Sequence, residues 1–352
     1  IGFRDRAAYE NGLAHPHDAV RQGVLRCLSW ISPPGGIDLV APLIHDPSPE
    51  VRAEATSAIG RLGEPEDAAM LLFELLGDES ELIQESAMQA LSRLPAETVT
   101  PLLLQALRGS DIPVRVRSAE TLALLRDPLA APTLMEVSRD PREAVRRAAL
   151  KALGDIDAPG VTERLRDALQ DESSLVREQA VLSLGKLQDT ETAPVLLPLL
   201  EDPDPRMRFA ALRALGQVRN PAAVSKVLPF LAERRKELRF AAVEALGSIR
   251  DVSAVRPLME VMADPDRNLR RAAAESLGSI ADPQAVPPLV VALEDEHWSV
   301  RCAAAAALGR LEDDDATVRR AAVVALGELG DPRAAARLTQ ALSDPALQAS
   351  AA

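Results

Sequence analysis

Apolar residues recur along the chain in a short motif that begins with a Val-Arg pair. In VREQAVLSLGKL, residues 176–187, apolar side chains stand at positions zero, four, eight and eleven when Val176 is counted as zero. At about 100° per residue these positions lie on one face of a helix. Position eight is Leu or Ile in every copy of the motif, and position nine is most often Gly. The motif therefore predicts a helix with one buried face.

The copies of this motif follow one another at a nearly constant spacing. Successive anchors are 31 residues apart, once 32, and the last interval shortens to 18. The anchor residues are Val20, Val51, Ile83, Val114, Val145, Val176, Met207, Leu238, Leu269, Val300 and Val318. A fixed period of this length indicates a repeat protein rather than a set of independent globular domains.

Each anchor is preceded by a second helical pattern and a short turn, often Asp-Pro. The segment TAPVLLPLLED, residues 192–202, is an example, and no segment alternates with the period of two expected for a strand. One such helix pair cannot bury its apolar face alone, whereas stacked pairs can. We therefore predict an all-α, right-handed α-solenoid (a superhelix) of about eleven two-helix repeats, forming a single array over 1–352.

The array is irregular or interrupted at 312–316. The anchor spacing drops there by 13 residues, about one helix and its joint. Either the geometry of the array changes, or residues are missing from the sequence near this point. We favour the second interpretation.

The repeated strings resemble the HEAT-repeat family, in particular the short bacterial HEAT-like repeats of the phycobilisome-lyase type. DESSLVREQAVLSLGKL (171–187) and DPDRNLRRAAAESLGSI (264–280) carry the resemblance, which covers nearly the whole chain. It implies a protein-binding scaffold whose second helices line the concave side. It also implies a ladder of hydrogen bonds between each turn Asp and the Arg six residues later. The expected pairs are Asp46 with Arg52, Asp140 with Arg146, Asp171 with Arg177, Asp202 with Arg208, Asp264 with Arg270, and Asp295 with Arg301.

The outward positions two and six of the second helices suggest a binding surface. Leu182, Phe209 and Phe240 would form an apolar stripe across three neighbouring repeats. Basic residues would border it, namely Arg147, Lys151, Lys186, Arg213 and Arg271. Because aromatic and arginine clusters are typical binding hot spots, we predict that this stripe contacts a partner. The alternative is that the rings lie flat and are covered by neighbouring side chains.

The net charge and the residue motifs make some classes of function unlikely. The net charge of −13 makes nucleic acid an unlikely partner, because phosphate binding depends on clustered positive charge. No phosphate loop, paired His-Glu motif or Ser/His/Asp set is present, so we expect no catalytic residues and no cofactor. His15, His17 and His45 are interpreted as polar turn residues, and no metal site is expected. Cys27 stands at position seven, where we expect a core packing residue.

Taken together, the sequence predicts a non-enzymatic scaffold or adaptor. Its partner would be a protein or an extended peptide, with acidic and apolar residues. Two alternatives stay open: an enzyme-associated subunit or chaperone of the bilin-lyase type, and a nucleic-acid binder that uses the concave arginines. We expect no membrane insertion and a cytoplasmic protein. Because the chain begins at Ile1 and not at Met, a removed signal peptide stays an alternative, and the sequence does not indicate an oligomeric state.

Overall fold

The computed structural model describes residues 6–310, in which α-helices and short 3-10 helices are joined by turns and no strand occurs. The first helices of the repeats lie before each turn. They are α1 (Arg6–Leu13), α3 (Gly36–Val40), α5 (Pro65–Glu74), α7 (Ala96–Leu107), α9 (Ala131–Val137), α11 (Val161–Asp167), α13 (Ala193–Leu196), α15 (Val224–Val227), α17 (Val255–Val261) and α19 (Val286–Ala292).

The second helices begin at or just before the anchors and are longer. They are α2 (Asp18–Ile31), α4 (Pro49–Leu62), α6 (Glu81–Leu91), α8 (Ile112–Leu125), α10 (Glu143–Leu153), α12 (Ser174–Lys186), α14 (Pro205–Val218), α16 (Lys236–Ile249), α18 (Arg267–Ile280) and α20 (Trp298–Leu308). Ten of the anchors fall within the first turn of these helices. The predicted all-α helix-turn-helix repeat is therefore confirmed in the described part of the chain.

The chain divides into two compact units, Ile1–Ser183 and Leu184–Ala352, which are described separately below. The short anchor spacing at 312–316 lies outside the described residues. The single array therefore stays a prediction.

Position eight of every described repeat lies in the core. The residues there have no solvent exposure at all: Leu28, Ile59, Leu91, Leu122, Leu153, Leu184, Leu215, Leu246, Leu277 and Leu308. Each full burial of a Leu or Ile side chain contributes about 1.5–3 kcal/mol. The repeat pattern is thus a pattern of buried leucines, as the sequence indicated.

Several first helices are interrupted because of proline. Pro42, Pro198 and Pro229 stand at the same point of three repeats, each at the start of a 3-10 segment that follows a short α-helix. Proline has no N–H to donate, so one hydrogen bond of the α-helical ladder is lost there, although α7 continues through Pro101. The second helices, which contain no internal proline, remain regular.

Many of the turns that join one repeat to the next share the same backbone conformation. The residue that ends the second helix has a positive φ and donates its N–H to the carbonyl four residues earlier, as in Arg219, Arg250 and Ala281. The next residue, Asn220, Asp251 or Asp282, then caps the following 3-10 helix with its side chain. Asp and Asn are favoured at such caps because their oxygen accepts a free backbone N–H.

Glycine at position nine allows neighbouring second helices to approach closely. In the C-terminal unit, a Cβ atom placed on Gly216 would lie 2.9 Å from the Cα atom of Ala245, and one on Gly278 would lie 2.6 Å from the Cα atom of Ala307. Real Cβ atoms do not approach other carbon atoms so closely, because these distances lie well inside van der Waals contact. Glycine is therefore a packing requirement at these crossings.

None of the helices in residues 6–310 is long and apolar enough to span a membrane.

Candidate binding face and the ladder that supports it

The motif arginines link neighbouring repeats. In the N-terminal unit, Nη1 of Arg146 donates to the backbone carbonyl of Asp140, at 3.0 Å, in its own repeat. Its Nε and Nη2 donate to the carboxylate of Asp171 in the next repeat, both at 2.9 Å. A guanidinium group has donors in a planar fork and can serve both partners at once. Each arginine thus connects two consecutive turns.

The same geometry recurs in both units, with one difference from the expected pairing. Within a repeat, Arg donates to the main-chain oxygen of the Asp six residues earlier, at 2.8–3.0 Å. In six turns the carboxylate of the Asp accepts instead from the arginine of the preceding repeat. The carboxylate pairs are Arg21 with Asp46, Arg52 with Asp78, Arg115 with Asp140, Arg146 with Asp171, Arg239 with Asp264, and Arg270 with Asp295. Each of the expected Asp–Arg pairs is therefore in contact, through the backbone of the Asp.

Burial makes these pairs matter for stability. The side chains of Arg52 and Asp78 are 7% and 9% exposed, and those of Arg270 and Asp295 are 10% and 13% exposed. The hydrogen bond from Arg270 holds the pKa of Asp295 below its ordinary value, although burial opposes this shift. Similarly, burial pushes the pKa of Asp171 upward, but the bonds from Arg146 and the Ser173 N–H bring it below its ordinary value. These carboxylates are ionised in the neutral range, and the ladder consists of charge-assisted hydrogen bonds.

The outer surface of the second helices in the C-terminal unit, which we call the second-helix face, carries the predicted aromatic residues. Phe209 on α14 and Phe240 on α16 are both half-buried, so the two rings are neither core residues nor fully exposed. The guanidinium carbon of Arg213 lies 6.0 Å from the centroid of the Phe209 ring. Arg213 stands one helical turn after Phe209, which brings its side chain over the ring.

A groove of about 310 Å³ crosses α14, α16 and α18 on this face. Its floor consists of small residues, including Gly216, Gly247 and Ala245, because the helices approach so closely there. Its walls are polar, with Arg213, Glu244 and Glu275 at position six and Gln217, Ser248 and Ser279 at position ten. The groove is open and can accommodate an extended segment of chain.

The charged residues in and beside the groove differ in whether they form a direct ion pair. Arg271 donates from Nη1 to Oε1 of Glu275, at 2.6 Å. Glu244, by contrast, has neither a hydrogen bond nor an ion pair within residues 6–310. Partial loss of water around its carboxyl group raises the pKa of Glu244, and Glu275 adds to this, whereas Arg213 and Arg271 oppose it. Glu244 is exposed and makes no direct ion pair within residues 6–310, and Arg213 and Arg271 are the cations that act on its carboxylate.

The remaining predicted residues are placed as follows. Leu182, Arg147 and Lys151 belong to the N-terminal unit, where Leu182 is half-buried and Nζ of Lys151 lies 3.7 Å from Oε1 of Glu120. Lys186 belongs to the C-terminal unit and is exposed. The apolar stripe formed by Leu182 with the two phenylalanines therefore stays a prediction.

One residue predicted to be buried is exposed, and one surface feature was not predicted. The prediction that Cys27 packs in the core is wrong: the residue is exposed. Its position is covered in later repeats by the preceding second helix, and the first described repeat has no such helix before it. The groove was also missed, although the run of small residues at positions three, seven and nine was a usable signal.

No group of three or more His, Cys, Asp or Glu side chains in residues 6–310 could hold a metal ion.

The comparisons with known proteins concern the whole chain. The family described as HEAT repeats matches residues 8–92, 38–111, 100–184, 162–247, 195–271, 255–316 and 310–352. No curated protein sequence matches the chain significantly.

Solved structures with similar folds include bacterial and eukaryotic proteins. The YibA protein of Escherichia coli is 19% identical, with a TM-score of 0.52, and the match covers 77% of this chain and 99% of that one. Yeast importin-beta (Kap95p) is 14% identical, with a TM-score of 0.54, over 97% of this chain and 63% of that one. The complex of CpcE and CpcF of phycocyanin lyase from Nostoc sp. PCC7120 gives 24% identity and a TM-score of 0.46, over 67% of this chain and 95% of that one. At these identities the first two likenesses show the fold, and the third, with its lower score, adds no argument.

Proposed function

The chain belongs to the HEAT-repeat family, and we propose that it is a non-catalytic scaffold or adaptor that binds a protein or an extended peptide on its second-helix face. The observation that carries this proposal is the open groove across α14, α16 and α18, together with two half-buried phenylalanines on α14 and α16. Large rings beside an open groove give a partner apolar area to cover, which is the typical centre of an interface.

The helical framework supports binding more than catalysis. The groove walls come from regular helices fixed by the close glycine contacts and by the Arg–Asp ladder, so the face is rigid before a partner arrives. Rigid surfaces lose less conformational entropy on binding.

Nucleic acid fits this groove poorly. Arg213 and Arg271 are matched by Glu244 and Glu275, so the groove carries no excess of positive charge. Affinity for a phosphate backbone depends on clustered unmatched cations, and the whole chain carries −13. The charge pattern therefore favours a protein or peptide as the partner.

The test replaces both rings at once, Phe209→Ala with Phe240→Ala. Partners captured by the wild-type protein from its native cell extract are identified by mass spectrometry, and the affinity of each is then measured with purified components. Removal of hot-spot residues costs about 2 kcal/mol or more of binding free energy, about thirtyfold in Kd. We expect the double variant to lose its partner while its melting temperature changes little.

Phe230→Ala is the matched control, because Phe230 is also half-buried in this unit but lies in a 3-10 segment of the first-helix layer. It should keep the partner. If the double variant instead unfolds at a much lower temperature, the rings support the fold rather than a partner. A bound chromophore in the absorption spectrum of the purified protein would contradict the scaffold function and favour a lyase-type subunit.

A further inference from the structure

A second groove crosses the second helices of the N-terminal unit, between α4 and α6, and we call it the N-terminal groove. It has a volume of about 210 Å³. Small residues form its floor, and its walls carry neutral polar side chains and two cations. Within residues 6–310 no carboxylate lines it, and both of its charged residues are arginines. The lining consists of Ala53, Gly60, Ala90, Ser57, Ser86, Gln89, Arg61 and Arg93.

The two arginines are exposed and have N–H donors that no group of the protein uses. Nη1 of Arg61 donates to Oγ of Ser29 on α2, at 3.4 Å, which is long for a hydrogen bond from a charged donor. The side chain of Arg93 has neither a hydrogen bond nor an ion pair within residues 6–310. Because a guanidinium group carries several donors and no acceptor, both side chains can bind an external anion.

Two carboxylates at neighbouring positions of these helices do not neutralise the arginines. Glu54 on α4 accepts a hydrogen bond from Nε of Arg26, at 2.9 Å. Glu85 on α6 precedes Arg93 by two helical turns, about 12 Å along the helix axis. The N-terminal groove therefore has an excess of positive charge, whereas glutamates stand beside the arginine in the groove of the C-terminal unit.

The ends of the helices allow two like charges to lie close together. Arg61 stands in the last turn of α4, and Arg93 follows the end of α6 at Leu91. Cations are favoured at helix C-termini by the negative end of the helix dipole. The dipole offsets part of the repulsion but leaves the guanidinium donors open to a partner.

An exposed tryptophan continues the row of arginines. Trp30, Arg61 and Arg93 all stand at position ten, on the consecutive second helices α2, α4 and α6. Trp30 is 89% exposed, and the residue before it, Ser29, is the one that Arg61 contacts. Tryptophan and arginine are among the residue types most enriched in binding hot spots, so this row has the composition of a contact surface.

The spacing of the row suits an extended segment of chain. Packed helix axes lie about 8–10 Å apart. In an extended strand, side chains two residues apart point to the same side and are about 7 Å apart. Arginine side chains are long enough to cover the difference, so alternate residues of one segment can reach successive helices.

We propose that the N-terminal groove binds an acidic segment of a partner protein, in which two carboxylates two residues apart pair with Arg61 and Arg93. An apolar residue in the same alternation covers Trp30. Charge complementarity selects an acidic occupant, since a guanidinium group without a carboxylate binds one through parallel hydrogen bonds. The inference goes beyond the proposed function, because it adds a second contact surface in the other unit of the molecule.

The experiment uses the full chain and two synthetic peptides, acetyl-Leu-Ala-Glu-Ala-Glu-Ala-Leu-amide and the same peptide with glutamine in place of both glutamates. A leucine on each side lets the peptide bind in either direction. Binding is followed by ligand-observed NMR and quantified as Kd at low salt. We expect the acidic peptide to bind about tenfold more tightly, because two exposed ion pairs each contribute up to about fivefold.

Protein variants locate the site. Arg61→Gln and Arg93→Gln should each weaken binding of the acidic peptide about threefold, and the double variant should bind both peptides equally. Arg126→Gln is the matched control, since Arg126 is an exposed arginine of the same unit that does not line the groove. It should leave Kd unchanged. Equal binding of the two peptides by the wild type, or equal effects of Arg126→Gln and Arg93→Gln, would overturn the proposal.

Tryptophan fluorescence reports on the apolar contact. Trp298→Phe leaves Trp30 as the only tryptophan, and its emission should shift to shorter wavelength when the acidic peptide binds. Unchanged emission at saturation would show that Trp30 lies outside the site.

A thymidine oligonucleotide of about ten residues tests the other class of anionic partner. We expect it to bind more weakly than the acidic peptide, because the groove offers only two cations and the chain carries −13. Tighter binding of the oligonucleotide that depends on Arg61 and Arg93 would assign the groove to a phosphate backbone and overturn the proposal. None of these outcomes alters the test of the second-helix face, which rests on Phe209 and Phe240.

Discussion

Neighbouring second helices pack against each other differently in two parts of the molecule. In the C-terminal unit, α14, α16, α18 and α20 follow one another with glycine at position nine and intimate backbone contact. In the N-terminal unit, α6 and α8 are packed less closely than α2 and α4 or α8 and α10. Position nine of α6 is Ser92 rather than glycine, and the helix already ends at Leu91. Glycine at position nine is not required for every close pair, because α2 carries Ser29 and α8 carries Ala123 there and both pack closely on the next second helix.

The ladder is interrupted at the same place. The motif arginine of α6 is replaced by Gln84, and the turn Asp of the next repeat is replaced by Gly109. Gln84 keeps only the bond to its own turn, from Nε2 to the carbonyl of Asp78, at 2.6 Å. Both partners of one rung are thus absent together, which avoids a buried arginine without a carboxylate.

A different set of polar side chains joins the two helices instead. Nε of Arg117 on α8 donates to Oε1 of Gln84 on α6, at 2.7 Å. The same guanidinium also reaches Glu81 at 3.2 Å and Glu120 at 2.8 Å. At this less closely packed pair, a long side chain bridges the two helices. Because α2–α4 and α8–α10 lack the glycine but keep the rungs Arg21–Asp46 and Arg115–Asp140, their closer packing accompanies the rung rather than the glycine.

The largest expected effect comes from placing a methyl group in the closest crossing. Gly278→Ala would bring Cβ to 2.6 Å from both Cα and Cβ of Ala307, and backbone atoms on both sides would have to move. Overpacking of this kind costs about 1–3 kcal/mol, and we expect the upper end of that range. The measurement is urea unfolding followed by circular dichroism.

Gly23→Ala is the control for that experiment. Gly23 lies inside α2, and a Cβ atom there would have no neighbour within 4 Å. Alanine is the better helix former, so this variant should gain up to about 1 kcal/mol. Equal effects of the two substitutions would show that position nine is not a packing requirement.

Removing one rung of the ladder should have the next largest effect. Asp171→Ala leaves Arg146, whose side chain is 8% exposed, without its carboxylate. An unsatisfied buried polar group costs about 1–3 kcal/mol, which a lower melting temperature would show.

Glu172→Ala tests whether burial is the reason. Glu172 also binds Arg146, at 3.3 Å, but its side chain is 86% exposed. Exposed ion pairs contribute less than about 1 kcal/mol, so this variant should melt almost as the wild type does. If the melting temperatures of the two variants fall by similar amounts, the charge of residue 171, and not its burial, determines the effect of Asp171→Ala.

The ladder also predicts how stability depends on pH. The pKa values of Asp171 and Asp295 are lower in the folded protein than their ordinary value, and their ionised forms are favoured by folding. This contribution is complete above the unfolded value of about 3.9 and is lost as the pH falls through the folded values. The melting temperature should therefore fall steeply below about pH 4, and less steeply for Asp295→Asn. An unchanged slope in that variant would contradict a role for this rung.

The sequence predicted the repeated elements well because their cause is local and periodic. Leu215, Leu246 and Leu277 recur at position eight, and a helical period with one buried face is enough to place them. The partner of each turn carboxylate was harder to predict. Asp171 is six residues from Arg177 but pairs with Arg146, because the spacing along the stack is not visible in a single repeat.

The groove was predictable only in part. The sequence placed Phe209 and Phe240 at outward positions of the second helices, and both rings are half-buried, which the pattern alone did not indicate. Burial of this kind is decided by side-chain reach in three dimensions, which a pattern does not contain.

The smallest effect is expected at the joints, which differ between the two regions compared above. The second helices α14, α16 and α18 end in residues with positive φ, whereas α6 ends at Ser92 with a φ of −67°. At Ala281 the φ is 60°, a left-handed conformation that alanine adopts at a cost of about 1–2 kcal/mol and glycine adopts freely. Ala281→Gly should therefore raise the stability by about 1 kcal/mol, since the greater freedom of glycine in the unfolded chain offsets part of the gain.

Ala53→Gly, inside the regular helix α4, is the opposite control and should lower the stability by about 1 kcal/mol. If both glycines destabilise to the same extent in urea unfolding, the left-handed cap is not a strained feature of the regular stack, and the joints of the two regions are energetically alike.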